Sequence, residues 1–230
     1  MRYYLCSSLV DYSKMELHNE FHWIEDLLKH ISFPCHALLV ASSPDDIEKT
    51  KHYAQEIVDV MNKHNLCLSG FDVLDRTSAK STKEFIEKAD IIIAMGGHVP
   101  TQNAFFQEID LKKHLQNFNG IWIGSSAGSM NSATLVYAQP ELEGEVIDSM
   151  YQRFVPGLGL TEKMMLPHYS SWKNEVIDGF RLLEDVTYPD SQGHTFYLME
   201  DGSYVLGDTE EEIEEVVGEY YILRDGVIVQ

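Results

Sequence analysis

The sequence predicts an α/β protein with a doubly wound, mainly parallel sheet flanked by helices, followed by a C-terminal β-hairpin region. In the first half of the chain, short apolar runs alternate four or five times with amphipathic segments, which is the pattern of successive strand–helix units. In the second half, Asp201-Gly202 and Asp225-Gly226 separate strand-like segments as hairpin turns do. We find no internal repeat or linker, and therefore predict one domain over residues 1–230.

The individual elements follow from hydrophobic periodicity. Continuous apolar runs predict buried strands, and apolar side chains at steps of three and four predict helices. The predicted strands of the first half are 2–7, 36–42, 66–74, 90–94 and 120–124. The predicted helices there are 16–31, one beginning at 43–45, one beginning at a capping box of Ser81 and Glu84, and 100–118. The second half is predicted to contain loops with short strands over 135–160, a helix over 174–183, and strands 195–199, 203–206 and 220–229.

Charge and composition exclude several classes of partner. The 230 residues include 17 Lys and Arg against 37 Asp and Glu, a formal charge of −20, so neither nucleic acid nor an anionic membrane is expected as a partner. No apolar run approaches the ~20 residues of a membrane helix, and we see no secretory signal. Cys6, Cys35 and Cys67 are predicted to be buried thiols in a reducing, cytoplasmic compartment. The acidic run 210–215 is predicted to be a solvated surface or a turn of helix.

A G-x-S-x-G pattern ends the fifth predicted strand, as Gly124-Ser125-Ser126-Ala127-Gly128. At a strand-to-helix turn, glycines let the strand and the helix pass close to a serine whose hydroxyl projects above the sheet. Only Ser126 has a glycine both two residues before it and two residues after it. Ser126 is therefore the predicted nucleophile, and a tight turn without catalysis is the alternative interpretation.

A second glycine turn, Gly96-Gly97, follows the fourth predicted strand. We expect backbone N–H groups at this turn and at the start of the helix after Ser126 to stabilise an oxyanion. Among the ten histidines, His168 follows a short apolar strand at its carboxyl end, where the ligand site of a parallel sheet lies. His168 is the predicted base, His194 is the reserve candidate, and His98 after the glycine turn is predicted to contact substrate.

The residues alone do not identify the acid that would orient the imidazole. Glu200 and Asp201 end a predicted strand, while Glu141, Glu143 and Glu145 lie on a loop between the serine and the histidine. In a chain this acidic, each of these carboxylates also fits an ordinary surface charge. No metal site is predicted, because the His18 and His22 pair lacks the glutamate spacing of the zinc signature.

Taken in order, these motifs resemble the peptidase E family, serine dipeptidases that cleave after an amino-terminal aspartate, and the related cyanophycinases. The matching stretches are Gly96-Gly97, Gly124–Gly128, Pro167-His168-Tyr169 and Glu200-Asp201-Gly202. The resemblance implies a fold like that of class I glutamine amidotransferase domains, with serine in place of their nucleophilic cysteine. It departs at His98, where the family usually has asparagine, and in a longer segment between Ser126 and His168.

The resemblance also implies a role for each matched residue. Ser126 would be the nucleophile and His168 the general base, with the N–H groups of Gly97 and Ala127 forming the oxyanion hole. Glu200 or Asp201 would be the acid of the triad, and Glu141 would match a second acid proposed in the family. No cation for a substrate aspartate is identified; the charges near the motifs are Lys163, Lys173, Arg153 and Arg181.

We therefore expect a cytoplasmic serine peptidase that hydrolyses small peptides, with amino-terminal aspartate as the specificity that the resemblance implies. One alternative is an α/β-hydrolase-type esterase, which would place its acid between serine and histidine along the chain. The other is a binding or regulatory protein that has the fold without the activity. A small peptide is the expected partner, no cofactor or metal is expected, and a homodimer stays open.

Overall fold

A computed structural model describes residues 1–211 and 213–230. Within these residues, the strands are β1 (Arg2–Cys6), β2 (Val10–Asp11), β3 (Glu16–Leu17), β4 (Cys35–Val40), β5 (Leu68–Leu74), β6 (Ile91–Ala94), β7 (Ile121–Ser125), β8 (Leu135–Tyr137), β9 (Phe154–Pro156), β10 (Met164–Leu166), β11 (Val176–Ile177), β12 (Phe180–Arg181), β13 (Thr195–Met199), β14 (Tyr204–Asp208), β15 (Ile213–Val217), β16 (Tyr220–Arg224) and β17 (Val227–Ile228). The helices are α1 (Trp23–His30), α2 (Ile47–Lys63), α3 (Thr82–Lys88), α4 (Val99–Glu108), α5 (Leu111–Leu115), α6 (Ala127–Met130), α7 (Tyr169–Trp172) and α8 (Tyr188–Asp190). A 3₁₀ turn precedes α3 at Ala79–Ser81, and a π-helical turn precedes α8 at Leu182–Thr187.

Seven strands form the central sheet, in the order β15-β14-β1-β7-β6-β4-β5. The five strands from β1 to β5 in this order are parallel, and β14 and β15 join antiparallel beside β1. Helices α1 and α2 pack on one face of the sheet, and α3, α4 and α5 pack on the other. The inner strands β4 and β6 are therefore buried on both faces, which explains their uninterrupted apolar sequences. The predicted fold class is confirmed.

A second sheet has the order β10-β13-β16-β17. It packs against α6 through an apolar cluster that includes Met130, Leu166 and Leu198. The chain leaves this sheet after β13 and enters the central sheet as β14, so the turn at Asp201-Gly202 joins two sheets. The hairpin predicted at this turn is wrong, whereas the one at Asp225-Gly226 joins β16 to β17 as predicted. One domain over residues 1–230 stays a prediction, which this alternation between sheets favours.

The predicted helix 16–31 is shorter than its periodicity indicates. Leu17 lies in β3 and pairs with Val10, and the helix begins only at Trp23. His22 immediately before it has a left-handed backbone, with φ of 61°, and the Asn19 side chain accepts a hydrogen bond from the Ile24 N–H at 3.0 Å. A hairpin thus buries Leu17, and a loop partly buries Phe21. The predicted helix 100–118 is likewise divided, because Asp110 has φ of 51° between α4 and α5.

The predicted helix over 174–183 is wrong. Residues Val176–Ile177 and Phe180–Arg181 form a two-stranded hairpin instead. Its turn, Asp178-Gly179, has positive φ at both positions, 53° and 84°, which is the backbone that Asp-Gly favours in tight hairpins. The turn dipeptide was therefore a stronger signal than the apolar spacing around it.

Three smaller predictions also need correction. Helix α3 begins where predicted, but the Ser81 side chain forms no capping hydrogen bond. Cys6 and Cys35 are buried and Cys67 is exposed, all three as free thiols; Cys67 lies just before β5, at the edge of the sheet. In the acidic run 210–215, the described residues are exposed apart from the half-buried Glu214, as predicted for a solvated surface; the correction is that residues 213–215 belong to the edge strand β15 and not to a turn of helix, while Glu212 lies outside the described residues.

We also compared the helices with the dimensions of a bilayer. Over residues 1–211 and 213–230, none combines the length and the apolar character needed to span a membrane.

Candidate active site

Ser126 lies at the turn between β7 and α6 in a strained backbone conformation. Its φ is 49° and its ψ is −112°, a region that side-chain-bearing residues rarely occupy. Its N–H donates to the Cys6 carbonyl on β1 at 3.1 Å, while its own carbonyl accepts from the N–H groups of Ser129 and Met130 at 2.9 and 3.0 Å. The strand therefore ends and the helix begins at one residue, which leaves the Ser126 side chain at the sheet edge.

The two glycines of the motif permit close packing around this turn. A Cβ at Gly124 would lie 2.8 Å from the backbone N and Cα of Ser129. A Cβ at Gly128 would collide with the Ala94 carbonyl on the neighbouring strand β6. Each contact is with backbone, which cannot move aside as a flexible side chain can. The G-x-S-x-G spacing is thus explained by contacts on both sides of Ser126.

Three predicted residues form a continuous hydrogen-bonded chain. The Nε2 atom of His168 lies 2.9 Å from the Ser126 Oγ, and its Nδ1 atom lies 2.6 Å from the Asp201 Oδ1. Glu200, the alternative acid, accepts instead from the Ser170 hydroxyl at 2.7 Å and the Ser170 N–H at 3.2 Å. Of the two acids at this turn, Asp201 is the one that contacts the imidazole.

A fourth residue, Ser7, contacts two members of this chain. Ser7 follows β1 and is completely buried. Its Oγ accepts from the His168 backbone N–H at 3.0 Å and lies within donor distance of the Asp201 Oδ1, at 3.1 Å, and of the Met199 carbonyl, at 3.3 Å. Burial raises the pKa of Asp201, but hydrogen bonds from His168 and Ser7 outweigh it and lower this pKa below its ordinary value. The carboxylate is thus held in the charged form that an imidazole N–H needs.

The predicted oxyanion donors lie at the same sheet edge. Strands β6 and β7 are parallel neighbours, so the turn after β6 lies beside the turn that contains Ser126. Within the part of the chain that the structure describes, the backbone N–H groups of Gly97 and Ala127 have no hydrogen-bond partner. At Gly97, a Cβ would lie 2.7 Å from the Ser42 Cβ, so glycine is required there. Both donors are therefore available to a bound carbonyl oxygen.

Two cavities flank Ser126 and His168, and both residues line each of them. The Trp172 cavity has a volume of about 350 Å³; its other side chains are mainly apolar, together with Glu141 and Glu175. The Lys49 cavity has a volume of about 310 Å³ and is lined by Lys49, the Gly96-Gly97 turn and His98. The nucleophile is thus reached from two sides.

Glu141 is placed in the Trp172 cavity. The residue as a whole is exposed, but its carboxyl is surrounded by protein. This burial and the neighbouring charge of Glu145 raise the pKa of Glu141 to about 7. Glu141 does not contact the imidazole in the way that Asp201 does, so the two acids that the resemblance implied occupy different positions.

His98 lines the Lys49 cavity, but protein groups engage both of its ring nitrogens. Nδ1 lies 2.7 Å from the Thr101 hydroxyl and Nε2 lies 2.8 Å from the Glu145 Oε1. The other oxygen of Glu145 accepts from the N–H groups of Glu141 and Leu142 at 2.8 and 3.0 Å. A direct substrate contact by His98 stays a prediction, and what the structure adds is a link from this histidine to the Glu141 loop.

The sequence search for a cation near the site missed Lys49. Its four candidates line neither cavity and bind other groups: Arg153 binds Asp190, Arg181 binds Asp185, Lys163 binds Glu214, and Lys173 lies 3.3 Å from the Ser170 hydroxyl. Lys49 lies in the first turn of α2, just beyond the carboxyl end of β4. Its position after a buried parallel strand was the available signal.

Comparison with known proteins identifies the family. Residues 13–214 match Peptidase family S51. The chain belongs to this family. It is therefore a serine peptidase, and the resemblance that the motifs indicated is confirmed.

Two crystal structures have the same fold. A peptidase from an acI-B1 Actinobacterium is 20% identical with a TM-score of 0.62, over 97% of this chain and 91% of that one. A candidate peptidase E from Listeria monocytogenes EGD-e is 15% identical with a TM-score of 0.62, over 94% of this chain and 98% of that one. No curated protein matches the sequence.

The hydrogen bonds of Ser7 predict a kinetic effect. Replacing Ser7 by Ala removes one hydrogen bond to a charged group, so kcat/KM for a hydrolysed peptide should fall about 10- to 100-fold. The acid limb of the pH profile of kcat/KM should also move to higher pH. Without the Ser7 hydrogen bond, the Asp201 carboxylate is less stabilised by its other neighbours and attracts the protonated imidazole more strongly. The matched control is Ser191→Ala, a buried serine whose Oγ bonds to Tyr188 and Gly226. Equal pH profiles for both variants would contradict a positioning role for Ser7.

The raised pKa of Glu141 predicts a pH-dependent effect on stability. Between its ordinary pKa of about 4.5 and its folded value of about 7, the native state retains a proton that the unfolded state has lost, so stability falls as pH rises. Glu141→Gln removes this loss. We therefore compare the free energy of unfolding of the variant with that of the native protein by urea denaturation. The difference in favour of the variant should be larger at about pH 8 than at about pH 5. Glu143→Gln on the same exposed loop is the control. If the difference between Glu141→Gln and the native protein is the same at both pH values, Glu141 ionises normally.

Proposed function

We propose that this serine peptidase hydrolyses small peptides with Ser126 as nucleophile, His168 as general base and Asp201 as the acid that orients the imidazole. The observation that carries the proposal is the hydrogen-bonded chain from Asp201 through His168 to Ser126, at the carboxyl ends of strands from two sheets. The N–H groups of Gly97 and Ala127 receive the oxyanion.

The reaction follows from this geometry in two halves. The Ser126 Oγ attacks the scissile carbonyl carbon while the His168 Nε2 removes its proton and then donates it to the leaving amine. The resulting acyl-enzyme is hydrolysed by a water molecule that the same nitrogen activates. Asp201 accepts from the Nδ1–H and keeps Nε2 free to accept the proton, and it stabilises the imidazolium that forms.

The two alternatives to a peptidase are less well supported. In an esterase of the α/β-hydrolase type, the acid precedes the histidine along the chain, whereas here Asp201 follows His168. A protein that has lost activity is disfavoured because the Ser126 Oγ lies 2.9 Å from an imidazole nitrogen whose ring a carboxylate orients.

The size of the site favours short peptides. The two cavities, of about 350 and 310 Å³, are at the lower end of the range for small-molecule sites, and each suits one residue on either side of the scissile bond. The free thiols at Cys6, Cys35 and Cys67 support a reducing, cytoplasmic location. Whether two copies associate is a separate matter for sedimentation analysis.

Replacement of Ser126 by Ala tests the proposal directly. Turnover of a dipeptide panel should fall at least about 10⁴-fold, and a fluorophosphonate probe should label the native protein but not the variant. Ser125→Ala, one residue away, should keep the labelling, and circular dichroism should show all three proteins folded. Undiminished hydrolysis by Ser126→Ala would exclude Ser126 as the nucleophile.

A second pair of variants tests which acid acts on His168. Asp201→Asn preserves shape but favours the wrong imidazole tautomer, so kcat should fall by about 10³- to 10⁴-fold. Glu200→Gln retains a group that accepts from Ser170 and should change kcat by no more than about 2-fold. Steady-state kinetics on one peptide separate the two, and the opposite ranking would assign the triad acid to Glu200.

A further inference from the structure

The two cavities on either side of Ser126 have opposite charge. Glu141 and Glu175 line the Trp172 cavity, and no Lys or Arg within the described residues does so. The Lys49 cavity has the reverse composition, because Lys49 lines it and no described Asp or Glu does. The nucleophile, shared by both cavities, therefore lies between an acidic wall and a basic one.

These charges are not neutralised by the protein. Among residues 1–211 and 213–230, no ion pair includes Glu141, Glu175 or Lys49, although twenty-one ion pairs form elsewhere. Burial, the charge of Glu145 and, less strongly, that of Glu175 raise the pKa of Glu141 to about 7, so this carboxyl becomes negatively charged as the pH rises through neutrality, in a cavity that no described Lys or Arg lines. The Lys49 Nζ lies 6.0 Å from the centre of the Tyr53 ring. Each cavity thus offers a charge to a ligand.

A short peptide has the complementary distribution of charge. Its amino terminus is an ammonium group, its carboxyl terminus is a carboxylate, and in a dipeptide the scissile carbonyl lies between them. We propose that Glu141 and Glu175 bind the amino-terminal ammonium and Lys49 binds the carboxylate, so that the enzyme acts on dipeptides with free termini and a neutral or basic first residue. This inference rests on the proposed function, and it names the residues that select and orient the substrate.

The Trp172 cavity is unsuited to an aspartate side chain. Besides the two glutamates, its walls include the apolar side chains of Met130, Leu166, Trp172 and Leu182, which favour an apolar side chain or the aliphatic stem of a lysine. A carboxylate here would lose water and meet two glutamates, with no described Lys or Arg in the cavity to compensate. Since exposed charges more than about 8 Å apart are largely screened, the distant cations of the chain do not change this. We therefore place acidic first residues among the poor substrates, in contrast to the specificity that the family resemblance implies.

The test measures kcat/KM for five peptides: Ala-Ala, Lys-Ala, Asp-Ala, N-acetyl-Ala-Ala and Ala-Ala-amide. For the native protein, kcat/KM for Asp-Ala and for each blocked peptide should be lower than that for Ala-Ala by about 10-fold or more. Each blocked peptide loses an attraction to a charged wall, and Asp-Ala adds a repulsion. Lys-Ala should be at least as good as Ala-Ala. Preference for Asp-Ala would overturn the proposal.

Variants then assign the effect to residues. Glu175→Gln and Glu141→Gln should each reduce the preference for Ala-Ala over Asp-Ala and over the acetylated peptide, about 3- to 10-fold. Lys49→Met should lower kcat/KM for Ala-Ala about 10-fold and leave Ala-Ala-amide unchanged. Glu143→Gln and Lys51→Met, exposed neighbours that line neither cavity, are the matched controls and should leave all five values unchanged.

The outcomes separate this inference from the proposed function. A uniform fall for all five peptides in the glutamate variants would mean that these carboxylates act on the reaction or the fold, and would overturn the assignment. If the ratios of kcat/KM between the peptides are the same in every variant as in the native protein, the assignment is overturned also. The proposed function would stand in that case, provided that turnover still depends on Ser126. If the native protein hydrolyses none of the peptides, the proposed function itself fails.

Discussion

The strained backbone at Ser126 is the constraint on which the site depends. A conformation of this kind costs on the order of 1–3 kcal/mol, and it persists because the surroundings leave no alternative. β7 is fixed between β1 and β6, both parallel to it, and the glycines at 124 and 128 bring α6 against the sheet. Any side chain at these glycines would push the helix away and release the turn. The reactivity of one hydroxyl is thus secured by packing in the most buried layer of the fold.

The second sheet supplies the other half of the site. β10 and β13 are parallel neighbours in which Leu166 is the register partner of Leu198. His168 and Asp201 each follow their strand by two residues, so both side chains leave the same sheet edge together. The apolar cluster between α6 and this sheet then sets their distance from Ser126. Ser7 joins the two halves, because it directly follows β1 of the central sheet and bonds to His168 and Asp201, which follow strands of the second sheet.

The sequence predicted best where one physical signal was strong. Buried parallel strands are continuously apolar, and they were recognised almost to the residue, as was the motif around Ser126. Prediction failed where tertiary structure overrode local pattern: Leu17 is buried by a hairpin rather than a helix, and the Asp178-Gly179 turn interrupts a helix-like spacing. Ser7 could not be identified beforehand, since a lone serine has no pattern, and the one signal for Lys49 was its position after a buried parallel strand. Ser7 lies near Ser126 because β1 pairs with β7, and Lys49 lies near it because α2 follows β4.

The histidine after the glycine turn illustrates how a departure from the family pattern is accommodated. At position 98 the resembled family usually has asparagine, a shorter side chain with no atom equivalent to the imidazole Nε2. Here this nitrogen binds Glu145, whose second oxygen holds the backbone of Glu141 and Leu142. The turn that offers the Gly97 N–H is therefore tied to the loop that presents Glu141. The oxyanion donor and the acidic wall lie in different cavities, and one histidine–carboxylate pair fixes their relative position.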